Sequence, residues 1–297
     1  YDSIIDWRPW PPAISVDVGY PGIGSYEVMM IDSSFCGLDS ATQIINIVNQ
    51  PVAGLSANKD TICVGESVTF ENLTTGFASS FIWVFGDGSS WTQVWNGNVT
   101  RTFNSPGYFE VLLIPQITNS CRNTASVFIY VSDTPEADFI VDNNSGCDTL
   151  IVDISNNSSF DVIDWNWNFG NGNTSTASNP TTQHYSVGTY TINLDVVNSS
   201  GCSNNYSEQI NVYESPQPYF EPTEVCVNEW SNFIDLSQSN EAIIAWDWDF
   251  GNGNTSNLQN PIFNFGTAGT FDVVLTVSTA NCQRSDTLDV LVDSLPE

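Results

Sequence analysis

The sequence predicts an all-β protein built as a tandem array of β-sandwiches, on three observations. A strand motif with alternating aromatic and polar residues recurs three times, and each copy runs into a Gly-Asn/Asp-Gly turn of the kind that closes a hairpin. A second strand motif, Gly-x-aromatic-x-aliphatic-x-aliphatic, follows each copy. The motifs return with a period of about 80 residues, which fits one sandwich per copy.

The first motif is best preserved in Trp165–Asn173 and Trp246–Asn254, and a looser copy spans Trp83–Ser89. Because side chains alternate across a strand, the central tryptophans Trp167 and Trp248 are predicted to be almost wholly buried against a second sheet. The polar residues between the aromatics face the other way, toward solvent. The second motif begins at Gly107, Gly188 and Gly269, and a fourth copy begins at Gly24.

In combination, these motifs resemble the PKD (polycystic kidney disease) domain family over nearly the whole chain. The resemblance implies an immunoglobulin-like β-sandwich for each repeat. Asn171 and Asn252 stand where the family usually has a turn aspartate, and Phe109 and Phe271 stand where Tyr190 keeps the family's tyrosine. The loss of an anionic ligand at two turns argues against a metal site there.

Four repeats are predicted from the alignment of these motifs. Residues 1–50 form the C-terminal part of a truncated first repeat, and 51–133, 134–214 and 215–295 form the complete second, third and fourth repeats. The linkers between them are two or three residues long and each is followed by proline, which favours a semi-rigid, extended array. We expect the array to continue in both directions within a longer protein.

The charge balance limits the classes of partner. Asp and Glu total 34 and Lys and Arg only five, for a net charge of −29. Nucleic acid and anionic membrane surfaces both attract basic proteins, so neither is an expected partner. No run of about 20 apolar residues suggests direct membrane insertion.

Six of the seven cysteines occupy equivalent positions in the three complete repeats. The pairs are Cys63 and Cys121, Cys147 and Cys202, and Cys226 and Cys282, separated by 58, 55 and 56 positions. This spacing predicts one disulfide within each complete repeat, from its first strand to the hairpin before its last strand, and leaves Cys36 without a partner in this chain. Disulfides indicate an oxidising, extracellular location. The alternative is that the cysteines are free and buried as small hydrophobic residues.

No catalytic site is predicted. His184 is the single histidine and stands where the resemblance implies a structural residue, so a histidine-based triad is not expected. Asp247 and Asp249 share a strand face, but their equivalents are Asn166 and Asn168, which favours a solvated face over an acid pair. No cofactor is expected. Calcium stays open as an alternative because acidic and amide oxygens are plentiful, although EF-hand spacing is absent.

Two surface features remain as candidate sites. The insertion that contains Trp91 and Trp95 is unique to the second repeat. Burial of both tryptophans on their own sheet or against the next domain is the favoured interpretation, and a platform for glycan stacking is the alternative. Six Asp-Ser/Thr-aliphatic triplets resemble the O-glycosylation motif of Bacteroidota, with candidate acceptors Ser3, Ser40, Thr61, Thr149, Thr287 and Ser294.

These features together predict a structural spacer or stalk segment of a long extracellular cell-surface adhesin or filament, without catalysis. The resemblance is to the giant secreted surface proteins of Bacteroidota, including gliding adhesins exported by type IX secretion. The alternative is a set of glycan- or protein-binding PKD modules attached to a secreted hydrolase. The partners implied are neighbouring repeats of the same chain, surface polysaccharide and other cell-surface proteins.

Overall fold

The structure, a computed structural model, describes residues 17–117, 123–223 and 225–294. These residues form 26 β-strands and no helix, so the all-β prediction is confirmed. The chain divides into two compact units, Tyr1–Val131 and Ser132–Glu297, and each is described by itself.

The first repeat contributes one antiparallel hairpin. Its strands, β1 (Gly24–Ser34) and β2 (Gly37–Ile47), pair along their full length, and a two-residue turn, Phe35-Cys36, joins them. Nearly all of its side chains are exposed.

The second repeat is a sandwich of two sheets. A five-stranded sheet has the order β4-β10-β9-β6-β7, and a three-stranded sheet has the order β3-β5-β8. The core between them is built from buried side chains of both sheets. The strands are β3 (Leu55–Ala57), β4 (Thr61–Cys63), β5 (Ser67–Asn72), β6 (Ser80–Val84), β7 (Ser90–Gln93), β8 (Val99–Thr102), β9 (Gly107–Gln116) and β10 (Ala125–Ser132).

The third repeat has the same architecture with a divided second layer. Its five-stranded sheet has the order β12-β19-β18-β15-β16, and the pairs β11-β14 and β13-β17 cover the core. The strands are β11 (Phe139–Val141), β12 (Ser145–Cys147), β13 (Thr149–Val152), β14 (Ile154–Asn156), β15 (Val162–Asn168), β16 (Thr174–Ser175), β17 (Gln183–Ser186), β18 (Gly188–Asn198) and β19 (Ser203–Tyr213).

The fourth repeat pairs a four-stranded sheet, β23-β22-β25-β26, with a three-stranded sheet, β20-β21-β24. A parallel bridge from Cys226 to Asp293 stands where β12 pairs with β19 in the third repeat. The strands are β20 (Phe220–Pro222), β21 (Trp230–Asp235), β22 (Ala245–Asp249), β23 (Thr255–Ser256), β24 (Ile262–Asn264), β25 (Gly269–Ser278) and β26 (Gln283–Val292).

The tryptophan at the centre of the first motif anchors each core. Trp83, Trp167 and Trp248 have no exposed surface, which confirms the predicted burial. A buried indole N–H needs an acceptor, and Trp167 and Trp248 donate to the carbonyl oxygens of Ala177 and Leu258, each at 2.9 Å. The buried indole therefore fixes how deeply the central strand packs into the core and which of its faces points inward.

The first glycine of the turn at the end of the motif allows two strands to come into close contact. Gly170 and Gly251 both have φ +73°, in the left-handed region. A Cβ added to either would lie 2.7 Å from a backbone carbonyl oxygen of the second-motif strand, Thr191 O or Asp272 O. Only glycine satisfies both constraints, so the turn holds β15 against β18 and β22 against β25.

We predict that Gly251→Ala destabilises the fourth repeat more than Gly253→Ala. Both glycines have positive φ, so either alanine costs about 1–2 kcal/mol of backbone strain. Only the Gly251 Cβ meets a neighbour, because nothing lies within 4 Å of the Gly253 position. Hydrogen exchange of the β22 and β25 amides measures the difference, and equal loss of protection in the two variants would contradict the close-contact argument.

Candidate functional site: the disulfide-bridged junction between the third and fourth repeats

The two cysteines of the third repeat, Cys147 and Cys202, lie at opposite ends of its sandwich. The β18–β19 turn, which contains Cys202, lies at the end where the chain enters the repeat. Asn198 Nδ2 donates to Asp133 O at 3.1 Å, and Asn204 Nδ2 donates to Pro135 O at 2.9 Å. We call this end the N-terminal pole.

The opposite end, where the chain leaves, is the C-terminal pole. Cys147 ends β12 and lies opposite Tyr213, the last residue of β19. The next residue donates its backbone N–H to the carbonyl oxygen of Tyr213 at 2.7 Å, which fixes the cysteine beside the outgoing linker.

A disulfide joins Cys147 to Cys282, with the two Cα atoms 6.0 Å apart. Cys282 lies in the β25–β26 turn, which is the counterpart of the β18–β19 turn and thus the N-terminal pole of the fourth repeat. The bond therefore crosses the junction between two repeats. It closes a loop between cysteines 135 positions apart, worth about 5 kcal/mol in the chain-entropy model.

This bond shows that two of the predicted disulfides are wrong. Cys147–Cys202 cannot form, because β19 separates the two residues by ten positions, or about 34 Å. Bridged cysteines have Cα atoms less than about 7 Å apart. The predicted Cys226–Cys282 bond fails for the same reason, since Cys226 lies opposite Asp293 beyond the far end of β26.

The remaining cysteines fall into three groups. Cys63 and Cys202 are each disulfide-bonded. Cys36 and Cys226 are free, the first exposed and the second partly buried. The predicted Cys63–Cys121 pair involves Cys121, which lies outside the described residues.

Polar contacts accompany the disulfide at the junction. Asp148, next to Cys147, accepts a hydrogen bond from the backbone N–H of Ser215 in the linker at 2.9 Å. This bond, helped by the positive charge of Arg284 and opposed by slight burial, lowers the pKa of Asp148. Asn240 of the fourth repeat donates to the carboxylate of Glu214 in the linker. The linker is thus held on both sides.

The turn position that varies between Asp and Asn has a structural role in the second and third repeats. Burial pulls the pKa of Asp87 upward, but hydrogen bonds from Ser89 and Arg101 outweigh it and hold the pKa at about 2. The Arg101 guanidinium lies 2.7 Å from the Asp87 carboxylate. Asn171 instead donates to the carbonyl oxygen of His184 at 3.2 Å.

The tryptophans of the second-repeat insertion are exposed, at 52% for Trp91 and 60% for Trp95, so the favoured prediction of burial is wrong. The reason is that β7, which carries Trp91, is the edge strand of its sheet and no further strand covers it. The sequence favours the same burial for Trp7 and Trp10, which stand among prolines, but both lie outside the described residues.

The candidate O-glycosylation acceptors that the structure describes are all exposed. They are Ser40, Thr61, Thr149, Thr287 and Ser294, whereas Ser3 lies outside the described residues.

An aromatic patch on the outer face of the second repeat was missed by the sequence reasoning. Tyr108 and Tyr130 are cross-strand partners with ring centroids 4.6 Å apart, and exposed Phe128 lies on the same face. The equivalent cross-strand pair in the third repeat is Thr189 and Asn211. Comparison of outward positions between repeats would have revealed the patch.

The histidine and the two aspartates considered for chemistry lie in different repeats and do not form one site. His184 is exposed on β17, and Asp247 and Asp249 are exposed on β22. Within the described ranges, no group of three or more His, Cys, Asp or Glu side chains is placed to hold a metal ion. The same ranges contain no helix of the length and apolarity that a membrane span requires.

Comparisons with known proteins agree with this architecture. Residues 48–131, 132–213 and 213–292 each match the sequence model of the PKD domain family. The pre-pro-metalloprotease PrtV of Vibrio cholerae serotype O1 is 26% identical over 135 residues, 44% of this chain and 15% of PrtV. Collagenase ColA of Bacillus cereus is 43% identical over 56 residues, 19% of this chain and 6% of ColA. The chain thus spans a small fraction of each curated relative.

Among solved structures, the N-terminal eight Ig domains of the Down syndrome cell adhesion molecule align with 92% of this chain and 40% of their own length. The TM-score is 0.51 and the identity 11%. At that identity the likeness shows the immunoglobulin-like fold alone.

We predict that Asp148 titrates below its ordinary pKa of about 3.9. Because the folded-state pKa is lowered, its contribution to junction stability is complete above the ordinary value and is lost as the pH falls through the lowered one. Carboxyl carbon NMR shifts measure the titration. Arg284→Gln should raise the pKa of Asp148, whereas Arg101→Gln, which removes the partner of Asp87 instead, should leave it unchanged. An ordinary pKa in the wild type would contradict the junction hydrogen bond.

Proposed function

Because this chain belongs to the PKD domain family, we propose that its repeats form a structural spacer segment of a long extracellular cell-surface protein and carry out no catalysis. The observation that carries this proposal is the Cys147–Cys282 disulfide, which joins the C-terminal pole of one repeat to the N-terminal pole of the next. A bond in this place resists separation and bending of the two repeats, which is what a spacer under load requires.

The bond also changes how tension passes through the two repeats. Tension that enters the third repeat from its N-terminal side reaches Cys147, crosses to Cys282 through the sulfur atoms, and continues along β26. The residues between the two cysteines in sequence carry no sustained tension, even if their sandwiches unfold. Each core can therefore unfold and refold without adding the length of its unfolded chain to the segment.

The same bond supports the proposed extracellular location, because disulfides persist in oxidising compartments and a surface protein works in one. The strongly acidic composition suits a salty external medium, in which self-repulsion is screened. The Asp-Ser/Thr-aliphatic triplets further suggest a giant surface adhesin of Bacteroidota, of the gliding type exported by type IX secretion. We propose neighbouring repeats as its first partners and surface polysaccharide or other surface proteins as partners elsewhere along the molecule.

We predict that removing the junction disulfide releases hidden length under force. The test is single-molecule stretching of the full chain between non-cysteine handles at Asp133 and Ser294. With the bond intact, the 135 positions between its cysteines are withheld from extension. The double variant Cys147→Ser/Cys282→Ser should gain about 450 Å of contour length.

The matched control is Cys226→Ser, which removes a free cysteine at the equivalent place in the fourth repeat and should leave the contour length unchanged. A wild-type protein that already extends to the full length would show that the junction bears no covalent load, and the spacer proposal would lose its basis.

A second candidate function, glycan-binding modules attached to a secreted hydrolase, is favoured by one specific observation. Trp91 on β7 and Trp95 in the loop that follows β7 are both more than half exposed, and indole faces stack well on sugar rings. The names of the partial relatives, a metalloprotease and a collagenase, fit modules that accompany an enzyme elsewhere in the chain.

We predict that, if this second function holds, Trp91→Ala and Trp95→Ala each weaken retention on an insoluble polysaccharide by about tenfold or more, the effect of losing 1.4 kcal/mol or more of stacking. Affinity electrophoresis across a panel of bacterial surface polysaccharides makes the measurement. Trp230→Ala is the matched control, because Trp230 is 71% exposed on a different repeat. Unretarded wild-type protein across the panel would remove this candidate.

A further inference from the structure

Cys226 is the structural counterpart of Cys147. Cys147 lies opposite Tyr213, and Cys226 forms a parallel bridge with Asp293. In both repeats the residue after the cysteine donates its backbone N–H to the carbonyl oxygen of the residue opposite the cysteine. Asp148 donates to Tyr213 at 2.7 Å, and Val227 donates to Asp293 at 2.9 Å. The backbone thus places both cysteines at a C-terminal pole in the same way.

The two cysteines differ in what they bind. Cys147 is bonded to Cys282, a cysteine in the turn of the next repeat's last hairpin. Cys226 is free and only partly buried. The Cys147–Cys282 bond therefore shows which partner a cysteine at a C-terminal pole can bind, namely the cysteine in the hairpin turn of another PKD repeat.

The chain also contains an unbonded cysteine of that second kind. Cys36 lies in the turn between β1 and β2, as Cys282 does between β25 and β26, and it is free and exposed. Among the described residues, the free cysteines are therefore complementary, one from a C-terminal pole and one from a hairpin turn.

We propose that Cys226 is a covalent attachment site for the hairpin-turn cysteine of a further PKD repeat, and that a second copy of this chain supplies one through Cys36. Copies would then join head to tail, with the junction chemistry seen between the third and fourth repeats. The proposal rests on the geometry of the Cys147–Cys282 bond and is independent of the spacer function.

The bond forms by thiol–disulfide exchange with a small-molecule disulfide such as oxidised glutathione. The Cys226 thiolate attacks one glutathione sulfur, which gives a mixed disulfide and releases one glutathione thiolate. The Cys36 thiolate then attacks the Cys226 sulfur and releases the second. Two cysteine thiols are oxidised, one glutathione disulfide is reduced, and both protons end on glutathione.

Two chains that each carry a net charge of −29 repel one another, so the reaction should be run at about 1 M salt, where the Debye length is about 3 Å. The full chain is incubated with reduced and oxidised glutathione, and the products are separated on non-reducing gels and mapped by peptide mass spectrometry. We expect a ladder of linear multimers in which the Cys36–Cys226 cross-link is more frequent than the Cys36–Cys36 and Cys226–Cys226 cross-links together, which random pairing would make equal to it.

Two variants and one control decide the outcome. Cys226→Ser and Cys36→Ser should each abolish the Cys36–Cys226 peptide and the multimers that this bond links. The control, Cys226→Ser/Ser285→Cys, moves the thiol to an exposed position near the start of β26, away from the C-terminal pole, and should not restore the ladder. Free thiols in the wild type, cross-links in random proportion, or full rescue by the Ser285 cysteine would each overturn the proposal.

Discussion

The length of the last strand of each repeat is the constraint on which this architecture depends. β19 and β26 run from one end of their sandwiches to the other, and the two cysteines of a repeat lie at opposite ends of that strand. A rigid strand cannot bend to bring them together, so a disulfide within the repeat is excluded. Cys147 and Cys282 are therefore available only to a neighbouring repeat, and the bond between them stabilises a junction and not a single core.

The cores supply the precision that such a junction needs. A disulfide tolerates only a narrow range of Cα separations, so the poles that carry Cys147 and Cys282 must be held in place by their own sandwiches. The buried Trp167 and Trp248, together with the glycine turns that follow them, fix the central sheets from which the poles project. Hydrogen bonds from both repeats to the linker then limit how far the junction can turn.

The sequence was sufficient for the fold and for the cores because alternation along a strand states directly which side chains are buried. Trp167 and Trp248 follow from that pattern alone. The disulfides did not follow, since equal spacing along the chain does not say at which end of a sandwich a residue lies. That knowledge needed the parallel pairing of β12 with β19, a contact between distant segments that leaves no local pattern. The burial of Trp91 was predicted wrongly for a related reason, because an edge strand and a covered strand have the same sequence pattern.

The disulfide across the junction has a consequence for survival among extracellular proteases. The peptide bonds from Cys147 to Cys282, including those of the linker between the two repeats, lie inside a covalently closed loop. A single cut anywhere in that loop leaves both fragments attached through the two sulfur atoms, and the cores keep each fragment folded in place. The segment would stay continuous after a cut that would divide a string of domains without such a bond. Within the loop, the peptide bond that proteases cleave fastest therefore does not set how long the segment can carry tension.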